Sequence, residues 1–284
     1  MGYYSPRSLE DALNLAAAPG RRIIAGGTDF YPAQGDRPLT DDVIDITAID
    51  GLRAITADNG AIRIGAAATW TDLVDAPLPP ACDGLKMAAR EVGGVQIQNA
   101  ATVAGNLCNA SPAADGVPPL LTLDAAVEVA APGGRRTVPL ADFITGNRRT
   151  VLAPGEIVTA IVLPAPAAGA RGHFVKLGAR RHLVISIAMV AVVLEPGAGG
   201  TVAAARIAVG ACSPVARRLA DLEADLAGAA LDGGLGARVA EGHLAVLSPI
   251  DDIRATAAYR RDAARTLVAR CLDACAAEMT EKTA

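Results

Sequence analysis

From Ala101 to Asp115 the chain reads ATVAGNLCNASPAAD, a run of small side chains carrying almost no charge and no aromatic ring. Thr, Gly, Asn, Asn, Ser and Asp so close together offer many hydrogen-bond donors to a polyanion, with Asp115 as an acceptor for sugar hydroxyls. A structural loop built of Asx turns has the same composition. A second segment, Ile23-Ile24-Ala25-Gly26-Gly27-Thr28-Asp29-Phe30, leaves a predicted strand through paired glycines. Such a pair lets successive backbone N–H groups turn toward one point and form a concave anion site. Taken alone, it is equally an ordinary tight turn. Lying on either side of a strand-rich region, the two segments suggest a diphosphate held between them, as in an extended dinucleotide. Neither is a GxGxxG opening a helix, which disfavours a Rossmann nicotinamide site.

Composition narrows the remaining classes. With 51% hydrophobic residues in 284 the chain can build a substantial core, and its length suits two domains. Only 3% of residues are aromatic, so Ala, Val and Leu must do most of the packing. The balance of 26 basic to 30 acidic residues gives −4, against the concentrated positive field that nucleic-acid binding needs. The longest apolar run, Leu183 to Leu194, falls short of the roughly 20 residues of a membrane-spanning helix. No apolar run follows a basic start at the N-terminus, so no signal peptide is expected. Five scattered cysteines, at 82, 108, 212, 271 and 275, read as reduced thiols of a cytoplasmic protein. Walker, zincin, nucleophile-elbow, CxxC and EF-hand motifs are all absent, and the three histidines stand apart from one another. Hydrolytic and metal chemistry therefore have no support.

Along the chain, Ser8 caps a predicted helix carrying Leu9, Ala12, Leu13 and Ala16, which Pro19-Gly20 ends. Strands are predicted at 21–24, 42–46, 62–66, 126–129 and 156–163, and helices at 71–76, 84–91 and 118–124. Strands and helices mix without regular alternation, which favours an α+β fold over a doubly wound sheet. A connector rich in Pro and Ala, 164–169, separates a last region with strands at 184–194 and 201–209 joined by Gly197-Ala198-Gly199-Gly200. Ser213-Pro214 reads as the start of a helix bearing Leu219, Leu222 and Leu226. A final helix places Tyr259, Ala263, Leu267, Cys271 and Cys275 on one face, which makes those two thiols core lining.

Several ordered motifs carry a resemblance over nearly the whole chain. They are IIAGGTD (23–29), GGVQIQNAATVAGNLCNASPAAD (93–115) and Phe143-x-x-Gly146-x-Arg148-Arg149-Thr150 leading to Pro154-Gly155-Glu156. Lys176-x-Gly-x-Arg180-Arg181 and Asp252-Ile253-Arg254-Ala255 with Tyr259-Arg260 complete the series. Together they resemble the FAD-binding medium subunit of the molybdenum hydroxylases, the family of xanthine dehydrogenase and carbon monoxide dehydrogenase. The resemblance implies an α+β fold. A two-subdomain FAD-binding domain of the vanillyl-alcohol-oxidase (PCMH) type would occupy 1–168, divided near residue 50. A small α+β C-terminal domain with a three-stranded sheet would occupy 171–284.

Carried over by position, Ile23, Ile24, Ala25, Gly26, Gly27, Thr28, Asp29 and Phe30 would wrap the FAD diphosphate and flank the flavin. Thr102, Gly105, Asn106, Cys108, Asn109 and Ser111 would line the other side, and Asp115 would hold sugar hydroxyls. Val92 and Gly93 fall at the adenine side, Ile157 and Val158 on a strand packed against the cofactor, and Lys176 near the flavin ring. A cation there would favour a reduced, anionic flavin. Where the family has two adjacent glycines, this chain has Ala104 before Gly105, which is tolerable if Ala104 keeps a negative φ. No clustered cysteines suggest an additional iron–sulfur cluster.

In that family the chain is an electron-transfer oxidoreductase subunit without catalytic acid, base or metal ligands of its own. Its implied partners are a large molybdenum-cofactor subunit and a small subunit with two 2Fe-2S clusters. The acceptor would be external, such as NAD, a quinone or oxygen. The alternative is a stand-alone FAD oxidoreductase of the same fold acting on its own small substrate, which would need Tyr, His or Arg over the flavin. A third possibility, an assembly module that has lost its flavin, is at odds with the intact polar residues of both segments.

Overall fold

The computed structural model describes residues 2–280; Met1 and 281–284, the last residues of the expected C-terminal domain, lie outside the described residues. Ser8 accepts a hydrogen bond from the Asp11 N–H and caps the helix Leu9–Ala16. The first unit is a three-stranded parallel sheet in the order Tyr3–Tyr4, Asp42–Asp45, Arg21–Ile24. The C-terminal end of Arg21–Ile24 feeds the Gly26-Gly27 turn, the position at which open parallel sheets receive ligands.

The second unit is a five-stranded antiparallel sheet in the order Ile55–Asp58, Ala61–Gly65, Ile157–Leu163, Ala126–Ala131, Gly134–Pro139. Helices Trp70–Asp75, Asp83–Glu91 and Val117–Thr122 accompany it, within a residue or two of the predicted spans. Its core holds Trp70, Phe143, Ile62, Ile64, Leu85 and Leu120, so the few aromatics that are buried anchor an otherwise aliphatic interior.

The third unit packs the helix Ala257–Thr280 on an antiparallel sheet of Arg171–Leu177, Ala188–Pro196 and Val202–Gly210. The pair Arg217–Arg218 adds a short fourth strand beside the expected three. That pairing corrects the reading of Ser213-Pro214 as a helix start: the helix begins only at Ala220. Ser213 Oγ instead accepts from the Ser248 N–H, tying two loops together. The strand expected from residue 184 begins at Ala188, because Leu183 takes φ 52° and breaks extended pairing. Cys271 and Cys275 are buried against this sheet, whereas Tyr259, placed on the same face by spacing, is exposed.

Between the second and third units lies one buried ion pair. Lys176 Nζ is 2.6 Å from Asp115 Oδ2, and Ser186 Oγ donates to Asp115 Oδ1 at 2.6 Å. No helix among the described residues is long and apolar enough to cross a membrane.

Candidate cofactor-binding site

A cavity of about 650 Å3 opens where the three units meet, within the range of small-molecule and cofactor sites. Its first wall is the turn after Arg21–Ile24. Gly27 takes φ +68°, and among the described residues the N–H groups of Gly26, Gly27, Thr28 and Asp29 have no acceptor. Four free donors on a turn at the end of a parallel strand are the concave anion receptor the sequence suggested.

The second wall is the segment 101–115. Its middle is a helix and its end, 110–115, a turn-rich loop: Thr102 bridges Thr69 in β fashion, and its Oγ1 accepts from the Gly105 N–H to cap Val103–Asn109. The helix stops at Ala110, which takes φ 47°. Ala104 sits inside this helix, and its methyl group is buried in the core, so the replacement of a glycine there brings no strain. The two walls touch directly. A Cβ on Gly26 would strike the Ala100 carbonyl and lie 2.8 Å from Ala101 Cα.

All the residues carried over between Ile23 and Asp115 line this cavity, Val92 and Gly93 included. Three others do not. Ile157 and Val158 are buried within the central strand of the five-stranded sheet, where side chains on both faces pack against core. Lys176 is held away from the lining by Asp115 and by the Glu91 carbonyl at 3.3 Å. The cation expected near the cavity is therefore neutralised by Asp115. Burial pushes the Asp115 carboxyl above its ordinary value, with Lys176 and Ser186 pulling against that rise.

The cavity also contains residues that sequence reasoning passed over. Leu183, Val184 and Ile185 reach it from the third unit, with Leu183 and Ile185 more than half exposed and Arg180 Nε donating to the Leu183 carbonyl at 3.2 Å. Their apolar run read as strand, and only the φ of Leu183 distinguishes it. Arg148 stands at the mouth, and Trp70 closes the floor. Trp70 Nε1 and Asn106 Oδ1 are buried polar atoms without a partner among the described residues. Leaving such atoms unpaired is costly, and here both belong to residues lining the cavity. Free N–H donors on one side, small polar side chains on the other and a floor with unpaired polar atoms together suit an elongated ligand bearing a diphosphate.

Trp70 is the only tryptophan in the chain. Its emission is therefore expected to fall when a flavin occupies the cavity, which a fluorescence titration of the flavin-free protein measures directly.

Comparison with known proteins agrees with this geometry. The family model for the FAD binding domain in molybdopterin dehydrogenase matches residues 1–166, and that for the CO dehydrogenase flavoprotein C-terminal domain matches 173–275. The chain is 37% identical over 195 residues to the nicotinate dehydrogenase FAD-subunit of Eubacterium barkeri, a match spanning 65% of each chain. It is 32% identical over 274 residues to the nicotine 6-hydroxylase medium subunit of Paenarthrobacter nicotinovorans, covering 95% of each. Among solved structures it superposes on a chain of carbon monoxide dehydrogenase from Hydrogenophaga pseudoflava. The TM-score is 0.88 and the identity 30%, over 98% of this chain and 97% of that one.

Proposed function

The chain belongs to the FAD-binding family of the molybdopterin dehydrogenases, and on that premise we propose that it is the flavoprotein subunit of a molybdenum hydroxylase complex. In this reading it takes electrons from the iron–sulfur clusters of a small partner subunit and passes them to an external acceptor, while substrate is hydroxylated on a large partner subunit. The observation that supports it most is the meeting, at one cavity, of two segments about eighty residues apart in sequence, one with free N–H groups and one lined by small polar side chains.

The residues present fit FAD. Gly26 to Asp29 would meet its diphosphate through backbone N–H groups, and Thr102, Asn106, Asn109 and Ser111 would supply side-chain hydrogen bonds from the opposite wall. Asp115, although bonded to Lys176 and Ser186, keeps lone pairs for a sugar hydroxyl. When bound, FAD supplies a carrier able to exchange one or two electrons with different partners. The protein's own task is to orient the cofactor and exclude water from one side of it, which requires no general acid or base. Of the Tyr, His or Arg that a stand-alone oxidoreductase would need over its flavin, the cavity lining holds Arg22 and Arg148 and, among the described residues, no Tyr or His.

Ser111→Trp tests the reading. Ser111 lines the cavity, and the one described bond of its side chain is that which Oγ accepts from the Ala113 N–H at 3.3 Å. The indole is expected to fill the diphosphate channel and lower flavin content at least about tenfold, the equivalent of ~1.4 kcal/mol. The thermal midpoint of the flavin-free protein should stay nearly unchanged. Full flavin occupancy in this variant, measured by fluorescence of the released cofactor, contradicts the assignment.

A further inference from the structure

The motif Asp252-Ile253-Arg254-Ala255 with Tyr259-Arg260 takes no part in lining the cavity, yet it places a buried cation behind two of the cavity's loops. We propose that Arg260 is a positioning residue for the cofactor site, its guanidinium fixing the segments 183–187 and 110–115 from behind. The inference rests on the reading of the cavity as the FAD site, and it names a residue outside the lining on which that site depends.

Arg260 lies in the first turn of the helix Ala257–Thr280 and is only 3% exposed. Enclosing a guanidinium is costly unless its donors find acceptors. Nη1 donates to the Ile187 carbonyl at 2.6 Å and to the Ala211 carbonyl at 3.1 Å, and Nη2 to Asp252 Oδ1 at 2.7 Å. Nε has no acceptor among the described residues. The bonds of this side chain thus go to one carboxylate and two loop carbonyls, none of them in its own helix. Asp252 sets the direction of that reach. Its Oδ1 also accepts from the Arg254 and Ala255 N–H groups at 2.8 and 3.2 Å, and its Oδ2 from Arg254 Nη1 at 2.8 Å. The carboxylate is fixed by its own tight turn, and it orients the planar fork of Arg260 in turn.

Each of the two carbonyls leads to the cavity in a step or two. Ile187 ends the connection between Arg171–Leu177 and Ala188–Pro196, and its own N–H donates to the Leu177 carbonyl at 2.8 Å. Directly before it, Ser186 donates to Asp115, and Leu183, Val184 and Ile185 line the cavity. Leu183 and Ile185 are more than half exposed, so their own packing does little to hold them in place. Ala211 follows the strand Val202–Gly210 with φ 61°, an uncommon conformation for an alanine. Its N–H donates to the Pro112 carbonyl at 2.9 Å. Pro112 stands between Ser111 and Ala113, both of which line the cavity.

One guanidinium nitrogen therefore ties the loop that ends the second wall to the loop that reaches the cavity from the third unit. Geometry of a binding site is kept by such supporting bonds behind the groups that meet the ligand. A lysine at this position offers one nitrogen in place of two, and it cannot keep Asp252 and both carbonyls with the same reach.

Titration of the flavin-free full chain with FAD, followed by flavin fluorescence, tests the assignment together with hydrogen exchange of the same protein. Arg260→Lys is expected to weaken FAD binding about tenfold or more, the worth of one charge-assisted hydrogen bond. Asp252→Ala leaves the guanidinium in place but unanchored, and it should weaken binding in the same direction. In both variants exchange should quicken at 178–187 and 110–115, while the strand Val202–Gly210 keeps its protection. Leu222→Ala is the control, a truncation within the third unit's own core at a residue absent from the lining. It should lower the thermal midpoint and leave FAD affinity as in the wild type. Where Arg260→Lys does not fold, Asp252→Ala decides alone. Wild-type affinity in these two variants overturns the proposal. So does an equal weakening in Leu222→Ala, which would make any loss of stability sufficient. A wild-type chain that takes up no FAD is a different result and defeats the reading of the cavity; exchange then still decides whether Arg260 holds the two loops.

Discussion

Gly26→Val is expected to abolish FAD binding and to lower the unfolding free energy by roughly 3 kcal/mol, the upper range for forcing extra atoms into a packed site. The cause is contact between the two cavity walls rather than crowding of the ligand. A Cβ at Gly26 would collide with the Ala100 carbonyl, 2.6 Å from its carbon and 2.8 Å from Ala101 Cα. Those atoms are backbone and cannot rotate away. One wall must move, and the movement separates the free N–H groups of Gly26 to Asp29 from Thr102 and Asn106. The same substitution therefore damages fold and binding together, whereas Ser111→Trp affects binding alone. Gly242→Ala is the control, since a Cβ there meets open space without a strained φ. Released-flavin fluorescence and chemical unfolding of the three variants distinguish these outcomes. A Gly26→Val protein with wild-type stability and flavin content refutes the account.

Lys176→Met is expected to cost about 3–5 kcal/mol near neutral pH, the usual penalty for leaving one member of a buried ion pair uncompensated. Both side chains are nearly enclosed, and the pair joins the second unit to the third. Methionine fills the space but leaves the Asp115 carboxylate with Ser186 alone. The pH dependence follows from the direction of the Asp115 shift. Its folded-state pKa lies above the unfolded value, so the stability it contributes is complete below about pH 3.9 and is lost as pH rises through the folded value. Removing the ammonium raises that folded value further. The deficit of the variant should thus be small near pH 4 and grow toward pH 7. Urea unfolding at a series of pH values measures this, and a deficit independent of pH would show that Asp115 is not the buried charge left behind. Lys176→Met with Asp115→Leu is expected to recover most of the loss, because an apolar pair needs no desolvation.

The helix Leu9–Ala16 was legible because its cap and its apolar spacing are local. So were the strands Arg21–Ile24, Ala126–Ala131 and Ile157–Leu163, whose runs of methyl-bearing residues end at clear breakers. The fourth strand Arg217–Arg218 was not, because two residues form a strand only when Ala208 and Val209 stand beside them. Ser213-Pro214 carried a genuine helix-start pattern, yet the hydroxyl was taken by Ser248 from a distant loop. At the site, the two polar segments were visible from composition alone, while Arg148 and Leu183 to Ile185 reach the cavity by backbone conformations that no residue pattern encodes.

The chain alone thus determined the kinds of unit and the two small polar segments that line the cavity, since both depend on residue type and short-range spacing. Tertiary structure decided that 103–109 is helical and that Lys176 is paired with Asp115 rather than lining the cavity. Each of these depends on which atoms, distant in sequence, reach hydrogen-bonding or contact distance, and that is set by packing.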